Sequence, residues 1–389
     1  MSVIKFGTDG WRAVIAKEFT FGNCKIVAQG IACYLKSTQD YKKGVVVAYD
    51  NRFLSEKFAD ECARVLAGNG IKVLRFIKAV PTPLAAFAIR QMEAGGAIMI
   101  TASHNPPEYN GIKFIPEYAG PALPEVTSAI EEEVNRILNG GKVYEIDLAE
   151  ALTLDLLTDI DLDKEYATHL LRVINPDFIK EKSLRIVADP MYGAGIGYLE
   201  RILNEVGVEV KTINNYRDAL FGGTMPEPTD AILGDLKRAV QTYQADLGLA
   251  LDGDADRFGI IDADGDFITP NQFGYLLFDH LIKTRTYRGP VCRSVATTHM
   301  LDKIARENGL TAIETPVGFK YIGACMREKG CIMGIEESGG LTVFGHVPEK
   351  DGILACLLAV EMLAYNGKAF KQIKADLAAK YGDIYSERT

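Results

Sequence analysis

The stretch Gly96-Ala97-Ile98-Met99-Ile100-Thr101-Ala102-Ser103-His104-Asn105-Pro106-Pro107 sets the terms for the rest of the chain. Ala97 to Ile100 is short and almost wholly apolar, the pattern of a strand buried on both faces of a parallel sheet. The small and polar residues that follow, and then two prolines, cannot extend a central strand. Ser103 is therefore expected on a tight loop at the strand's carboxyl end, where open α/β sheets place their ligands. An ordinary turn, with Ser103 and Asn105 bonded to nearby backbone, leaves the same local signature. A serine hydrolase is a poor match. The Gly-x-Ser-x-Gly elbow is absent around Ser103, and the adjacent His104 is expected to point away from it in an extended loop.

Residues 1 to about 140 alternate helix and strand. Phe21 to Leu35 reads as a helix and Val45 to Ala48 as a strand. Ser55 is expected to cap a helix whose Ala59, Cys62, Ala63 and Leu66 share one face, with Ala67-Gly68-Asn69-Gly70 ending it. Ile71 to Phe76 is the next strand, and Thr82-Pro83 supplies an N-cap and first helical residue for a helix to Met92. Asn139-Gly140-Gly141 breaks the pattern, and the acidic segment to about Asp163 reads as a surface connection.

A second unit runs from the strand Leu184 to Ala188 through Asp189-Pro190-Met191-Tyr192-Gly193-Ala194-Gly195-Ile196-Gly197 to a helix and the strand Val208 to Ile213. Its glycines do not make a dinucleotide fingerprint. Tyr198 stands where the third glycine belongs, and no acidic residue closes the following strand. A third unit is expected from Phe258, opening with a hairpin to Ile268 that turns at Asp264-Gly265. The openings Val45 to Asp50, Arg185 to Asp189 and Pro290 to Ser294 share one plan of strand, polar turn and helix, a weak signal of internal duplication. The fold class is α/β, as three consecutive three-layer α/β/α domains with mixed or mostly parallel sheets.

With 389 residues, 48% hydrophobic and 24% charged, the chain is an ordinary globular protein with room for two to four cores. A net charge of -9 argues against nucleic-acid binding, while a local basic cluster could still meet an anionic substrate. The seven cysteines are odd in number and lack paired metal spacing, so cytosolic thiols are the simplest reading. The amino terminus shows no signal peptide, and Ile353 to Ala364, too short for a bilayer and holding Glu361, reads as a buried helix. A cytoplasmic protein with no membrane association is expected.

Another buried strand, Leu247-Gly248-Leu249-Ala250-Leu251, ends in Asp252-Gly253-Asp254-Ala255-Asp256-Arg257. A tight turn that gathers three carboxylates needs a hard cation, and all-oxygen ligation suits Mg²⁺; a solvated acidic turn is the plainer alternative. An EF-hand fails, because Arg257 holds its glycine position and Ala263 that of its last glutamate. Magnesium beside a serine suggests phosphoryl transfer.

Thr101-Ala102-Ser103-His104-Asn105-Pro106, Asp252-Gly253-Asp254-Ala255-Asp256-Arg257 and Gly334-Ile335-Glu336-Glu337-Ser338-Gly339-Gly340 together resemble the phosphoserine, metal and sugar loops of the α-D-phosphohexomutases, the phosphoglucomutase/phosphomannomutase family. Phe6-Gly7-Thr8-Asp9-Gly10-Trp11-Arg12, Asn110-Gly111-Ile112-Lys113, Thr315-Pro316-Val317-Gly318-Phe319-Lys320 and Lys350-Asp351-Gly352-Ile353 support it, so the resemblance spans essentially the whole chain. It implies a phosphoserine-bearing domain at 1–140, a metal-binding domain at 141–257 and a sugar-binding domain at 258–389, with the active site in the cleft between them. Ser103 would carry the phosphoryl group, and a phosphate oxygen on it would join Asp252, Asp254 and Asp256 around Mg²⁺. Arg12, Lys113 and Arg257 would surround the transferring phosphate. Glu336 and Ser338 would hold sugar hydroxyls, with Thr315 and Gly318 also at the substrate. His104, Lys113 and Lys320 are the candidates for proton handling.

The activity so implied is the reversible conversion of glucose 1-phosphate to glucose 6-phosphate through a phosphoserine and a bisphosphate intermediate, with glucose 1,6-bisphosphate as activating donor. Mannose and amino-sugar phosphates are also open, although Glu336-Glu337-Ser338 leans toward glucose. The resemblance further implies a fourth, smaller domain with an Arg-x-Ser-Gly-Thr-type loop. No such string occurs here, and the sequence stops at Thr389 where the linker to that domain would begin, so a fragment or a truncated product is expected. The alternatives are a slow Mg²⁺-dependent phosphatase that gives the serine phosphate to water, and a sugar-phosphate-binding protein without mutase turnover.

Overall fold

The computed structural model describes residues 4–7 and 10–382. Thr8 and Asp9 of the amino-terminal motif, the first three residues, and the tail 383–389 lie outside the described residues. The chain divides into two compact units. One holds Met1–Tyr166, Tyr192–Ala194 and Arg217–Pro226; the other holds Ala167–Met191, Gly195–Tyr216 and Glu227–Thr389.

The first unit is built on a six-stranded mixed sheet. Its strands are β1 (Trp11–Val14), β2 (Val45–Tyr49), β3 (Val73–Phe76), β4 (Gly96–Ile100), β5 (Tyr109–Pro116) and β6 (Leu157–Ile160), in the order β1-β5-β4-β2-β3-β6. The β4 run is wholly buried, as its apolar sequence requires. Ile98 and Ile100 share a core with the helices Phe21–Thr38, Ser55–Gly68 and Pro124–Leu138, while Thr82–Gln91 also packs on β2 and β4. The surroundings of β4 are only half parallel, since it pairs parallel with β2 and antiparallel with β5. The segment after Gly141 is more than a surface connection: Leu148–Thr153 is helical, and β6 adds a parallel edge strand beside β3.

Two helix starts differ from the sequence reading. Leu54, in a left-handed conformation, is the N-cap of Ser55–Gly68. Ser55 does not cap, because its hydroxyl donates to Asp50 Oδ1 at 2.9 Å and accepts from Asn110 Nδ2 at 2.9 Å. Thr82 is itself the first helical residue, with Pro81 as the cap.

The second unit contains two sheets. Strands β7 (Arg185–Asp189), β8 (Glu209–Thr212), β9 (Leu247–Leu251), β10 (Phe258–Asp262) and β11 (Phe267–Ile268) form one, in the order β11-β10-β9-β7-β8. The hairpin Phe258 to Ile268, read above as the start of a third unit, is the antiparallel edge of this sheet, with β10 paired to β9. The other sheet has the order β13-β12-β14-β15, from β12 (Val291–Ser294), β13 (Ala312–Thr315), β14 (Met333–Ile335) and β15 (Leu341–Val343). The architecture is thus three α/β/α domains with mixed sheets. Gly195, in the stretch that tempts a nucleotide reading, serves packing: a Cβ there would lie 2.5 Å from Leu251 Cδ1.

The helix Gly352–Asn366 is buried along almost its whole length and packs on β9 and β10 of one sheet and on β15 of the other. A helix apolar on every side belongs in such a position. Its one carboxylate, Glu361, meets His280 at 2.7 Å and Arg285 at 2.8 Å. Burial works against that charge, but hydrogen bonds with His280 and Arg285, and the Arg285 charge, hold the carboxyl below its usual range. Among the described residues, no single helix is long and apolar enough to cross a membrane.

Candidate active site

In the first unit, β4 delivers the chain to Ser103, which is buried and left-handed at φ 52°. A serine held in that region is strained, a condition that persists only where surrounding contacts enforce it. The enforcing contacts are visible. Ser103 N–H donates to Thr101 Oγ1 at 2.8 Å, and Asn105 N–H closes a turn onto the Ala102 carbonyl at 3.0 Å. Arg52, wholly buried, donates through Nη2 to the carbonyls of Ser103 (2.7 Å) and Asn105 (2.6 Å), and through Nη1 to those of Pro106 (2.8 Å) and Tyr109 (3.0 Å). Asp50 holds this arginine in turn, accepting from its backbone N–H at 3.0 Å and lying 3.4 Å from its Nε.

The same left-handed turn corrects the expectation for His104. Because the loop is not extended, His104 Nδ1 lies 3.3 Å from Ser103 Oγ instead of pointing away. Arg12, on β1, donates to Asn105 Oδ1 at 2.6 Å. Lys113 is buried on β5, in register with Met99 of the serine's own strand.

In the second unit, Asp252 to Arg257 is the turn joining β9 to β10. Asp252, Asp254 and Asp256 are all fully buried, and each offers a carboxylate oxygen within 4.8 Å of the others. Asp252 Oδ1 also accepts from Arg257 N–H at 2.9 Å. Burial, and then the charges of Asp254 and Asp256, push the Asp252 carboxyl well above its ordinary range, with Arg257 only partly opposing. Crowding of this kind is relieved by a cation, so three buried oxygen donors fit a metal ion. Burial also disfavours the Arg257 charge, but Asp256, Asp252, Glu336 and Asp254 outweigh it and raise its pKa.

Glu336 and Ser338 lie on the tight loop between β14 and β15, and the Ser338 hydroxyl donates to Glu336 Oε1 at 2.6 Å. This loop is tied to the acidic turn by an antiparallel bridge between Gly340 and Arg257. Burial raises the Glu336 carboxyl against the pull of Lys350, Ser338 and Arg257. Lys350 joins the two loops: its buried ammonium lies 3.4 Å from Asp256, 2.8 Å from Glu349 and 5.2 Å from the centre of the Phe319 ring.

Comparison with known proteins bears directly on this arrangement. Residues 3–140 match the model for phosphoglucomutase/phosphomannomutase α/β/α domain I, 164–265 that for domain II and 269–381 that for domain III. A phosphoglucomutase/phosphomannomutase of Thermococcus kodakarensis is 31% identical over 378 residues, covering 97% of this chain and 80% of that protein. The chain belongs to the phosphoglucomutase/phosphomannomutase family.

A phosphoglucosamine mutase of Arthrobacter is 32% identical over 373 residues, covering 95% of this chain and 79% of its own length. Among solved structures, a phosphomannomutase-type protein of Thermus thermophilus superposes with a TM-score of 0.90 at 34% identity, covering 98% of this chain and 84% of that one. A phosphohexomutase-type isomerase is the activity these relatives share.

Within this phosphohexomutase frame, the candidates fall into two groups. Ser103, His104, Arg12 and Lys113 belong to the first unit, and Asp252, Asp254, Asp256, Arg257, Glu336 and Ser338 to the second. Thr315 ends β13 and donates its hydroxyl to the Arg293 carbonyl at 3.3 Å. Gly318 caps the helix Phe319–Lys329, and the Lys320 ammonium sits 5.5 Å from the Tyr321 ring centre. Two residues went unassigned by sequence reasoning. Arg52 sits in the polar turn after β2, and Lys350 in the quoted Lys350-Asp351-Gly352-Ile353 string. A charged residue in the short turn after a buried strand was the available signal for Arg52.

Proposed function

We propose that this protein interconverts hexose 1- and 6-phosphates, with glucose phosphates the first choice, through a phosphoryl group carried on Ser103. The observation that carries the reading is the buried Asp252, Asp254 and Asp256 turn bridged through Arg257 to the Glu336–Ser338 loop. In the forward direction the P–Oγ bond of phosphoserine breaks, a bond forms from phosphorus to the substrate's free hydroxyl oxygen, and that hydroxyl loses its proton. The bisphosphate so formed then returns its other phosphate to Ser103.

Phosphoryl transfer passes through a loose transition state, so the protein contributes mainly position and positive charge. Arg12, Lys113 and Arg257 supply that charge at the transferring phosphate. Glu336 and Ser338 orient the sugar by its hydroxyls. His104 Nδ1, within 3.3 Å of Ser103 Oγ, is placed to exchange a proton with that oxygen, while Lys113, Lys320 and the buried Lys350 are the remaining candidates at the sugar hydroxyl. Asp252, Asp254 and Asp256 would hold Mg²⁺, which when bound neutralises charge on the phosphoryl oxygens.

Glucose 1,6-bisphosphate is the expected priming donor. The test is an assay of glucose, mannose and glucosamine 1-phosphates with Mg²⁺ and a trace of the bisphosphate. Formation of the 6-phosphate supports the mutase, release of inorganic phosphate alone makes the protein a phosphatase, and binding without either makes it a sugar-phosphate binder.

A further inference from the structure

A chain of close polar contacts runs behind the acidic turn. His169, on the helix Asp163–Val173, brings Nε2 to 2.9 Å from His346 Nδ1, and the two rings stack at 5.1 Å. His346 Nε2 lies 2.8 Å from Asp351 Oδ2, with both side chains fully buried. Asp351 uses its other oxygen to accept from Leu354 N–H at 2.8 Å, capping the helix Gly352–Asn366, and its own N–H donates to the Leu341 carbonyl at 3.0 Å.

The next residue touches the acidic turn itself. Gly352 N–H donates to the Ala255 carbonyl at 3.1 Å, and a Cβ at 352 would stand 2.3 Å from the Arg257 carbonyl oxygen. The residue before Asp351, Lys350, reaches Asp256. Asp351 therefore sits between the two contacts that fix the turn from behind.

We infer that His346, oriented by His169, is a positioning residue for the metal turn and for Lys350, acting through Asp351. A buried carboxylate is tolerated when its oxygens are satisfied by donors. His346 keeps Nε2 at 2.8 Å from Asp351 Oδ2 as a close polar contact, and its Nδ1 faces His169 Nε2 at 2.9 Å. The two stacked imidazoles thus hold each other in place beside Asp351, the way outer partners hold ligands around a metal. Neither histidine touches substrate or metal on this account. The inference rests on the proposed metal-assisted phosphoryl transfer.

The experiment compares wild type, His169→Ala, His346→Ala and His346→Gln. Each is measured for Mg²⁺ affinity by calorimetry, for kcat and KM with glucose 1-phosphate, and for Tm. Outer partners of this kind are typically worth roughly 10- to 100-fold, so His346→Ala should lose about that much in Mg²⁺ affinity and kcat while KM stays nearly constant. His346→Gln keeps a donor toward Asp351 and should recover most of the loss. His169→Ala removes only the outer, half-buried ring and should fold even if His346→Ala does not, with a smaller loss in the same two quantities. Wild-type Mg²⁺ affinity in His169→Ala, or a His346→Gln no better than His346→Ala, overturns the inference whatever happens to Tm. A wild type that binds Mg²⁺ but converts no sugar phosphate would sink the mutase reading instead, leaving the calorimetry to decide the positioning role. Failure of the wild type to bind Mg²⁺ overturns both.

Discussion

The guanidinium of Arg52 donates to the carbonyl oxygen of Ser103 at 2.7 Å from a fully buried position, and it makes three further bonds to the carbonyls of Asn105, Pro106 and Tyr109, the last at the start of β5. A planar fork of fixed donors can hold four carbonyls at once, whereas an ammonium cannot. The left-handed φ of Ser103 is thus maintained by a side chain 51 positions earlier in sequence, and Asp50 together with the Phe221 ring, 5.0 Å from the Arg52 guanidinium, completes its surroundings.

Replacing Arg52 by Lys should therefore loosen the serine loop without removing the charge. Losing two or more bonds to a charged donor at about 1.5–3 kcal/mol each predicts a stability loss of about 3 kcal/mol or more and slower phosphorylation of Ser103. Denaturant unfolding and the initial rate of phosphate uptake from glucose 1,6-bisphosphate measure the two. Unchanged uptake in a folded Arg52→Lys protein would show that the loop holds its shape without the fork.

Asp252 gives a pH-dependent prediction. Burial and its two acidic neighbours raise its carboxyl in the folded state, so between about pH 3.9, the unfolded value, and that raised value the folded protein binds the extra proton. Stability of the metal-free protein then falls as pH rises through this window. Asp252→Asn keeps an acceptor for Arg257 N–H and removes the crowded charge. It should match wild type near pH 4 and be the more stable of the two at pH 7 without metal. Mg²⁺ should raise the Tm of wild type increasingly with pH and do little for the variant. A metal-free Asp252→Asn that is less stable than wild type at pH 7 would count against repulsion as the cause.

Glu336 separates sugar recognition from phosphate chemistry. Its carboxylate accepts from Ser338 and is buried beside Lys350 and Arg257. Losing one hydrogen bond from sugar to a charged group predicts a fall of roughly ten- to a hundredfold in kcat/KM for Glu336→Ala. Phosphorylation of Ser103 by the bisphosphate donor should fall less. Equal losses in both steps would assign Glu336 to the fold of its loop.

The features legible in the sequence are those written in a few consecutive residues. The apolar run of β4 and the Asp-x-Asp-x-Asp turn are local, and the structure places the serine at the strand's end and gathers the three carboxylates. What the sequence left hidden depends on distant partners. Ser55 looks like a cap until Asp50 and Asn110 claim its hydroxyl. The hairpin Phe258 to Ile268 carries no mark of the sheet it joins, and pairing with β9 decides it. His104 faces Ser103 because of a left-handed residue that local patterning does not require. Arg52 and Lys350 went unassigned because the contacts that decide their roles, the Ser103 carbonyl and the Asp256 carboxylate, lie far away in the chain.

The most direct test of the central claim is the location of phosphate after incubation with glucose 1,6-bisphosphate and Mg²⁺, read by intact mass and peptide mapping in wild type and Ser103→Ala. One phosphate is expected on the peptide that contains Ser103, with its loss on addition of glucose 1-phosphate, and neither phosphate nor mutase turnover in Ser103→Ala. Full turnover in Ser103→Ala, together with an unphosphorylated wild type, would contradict it.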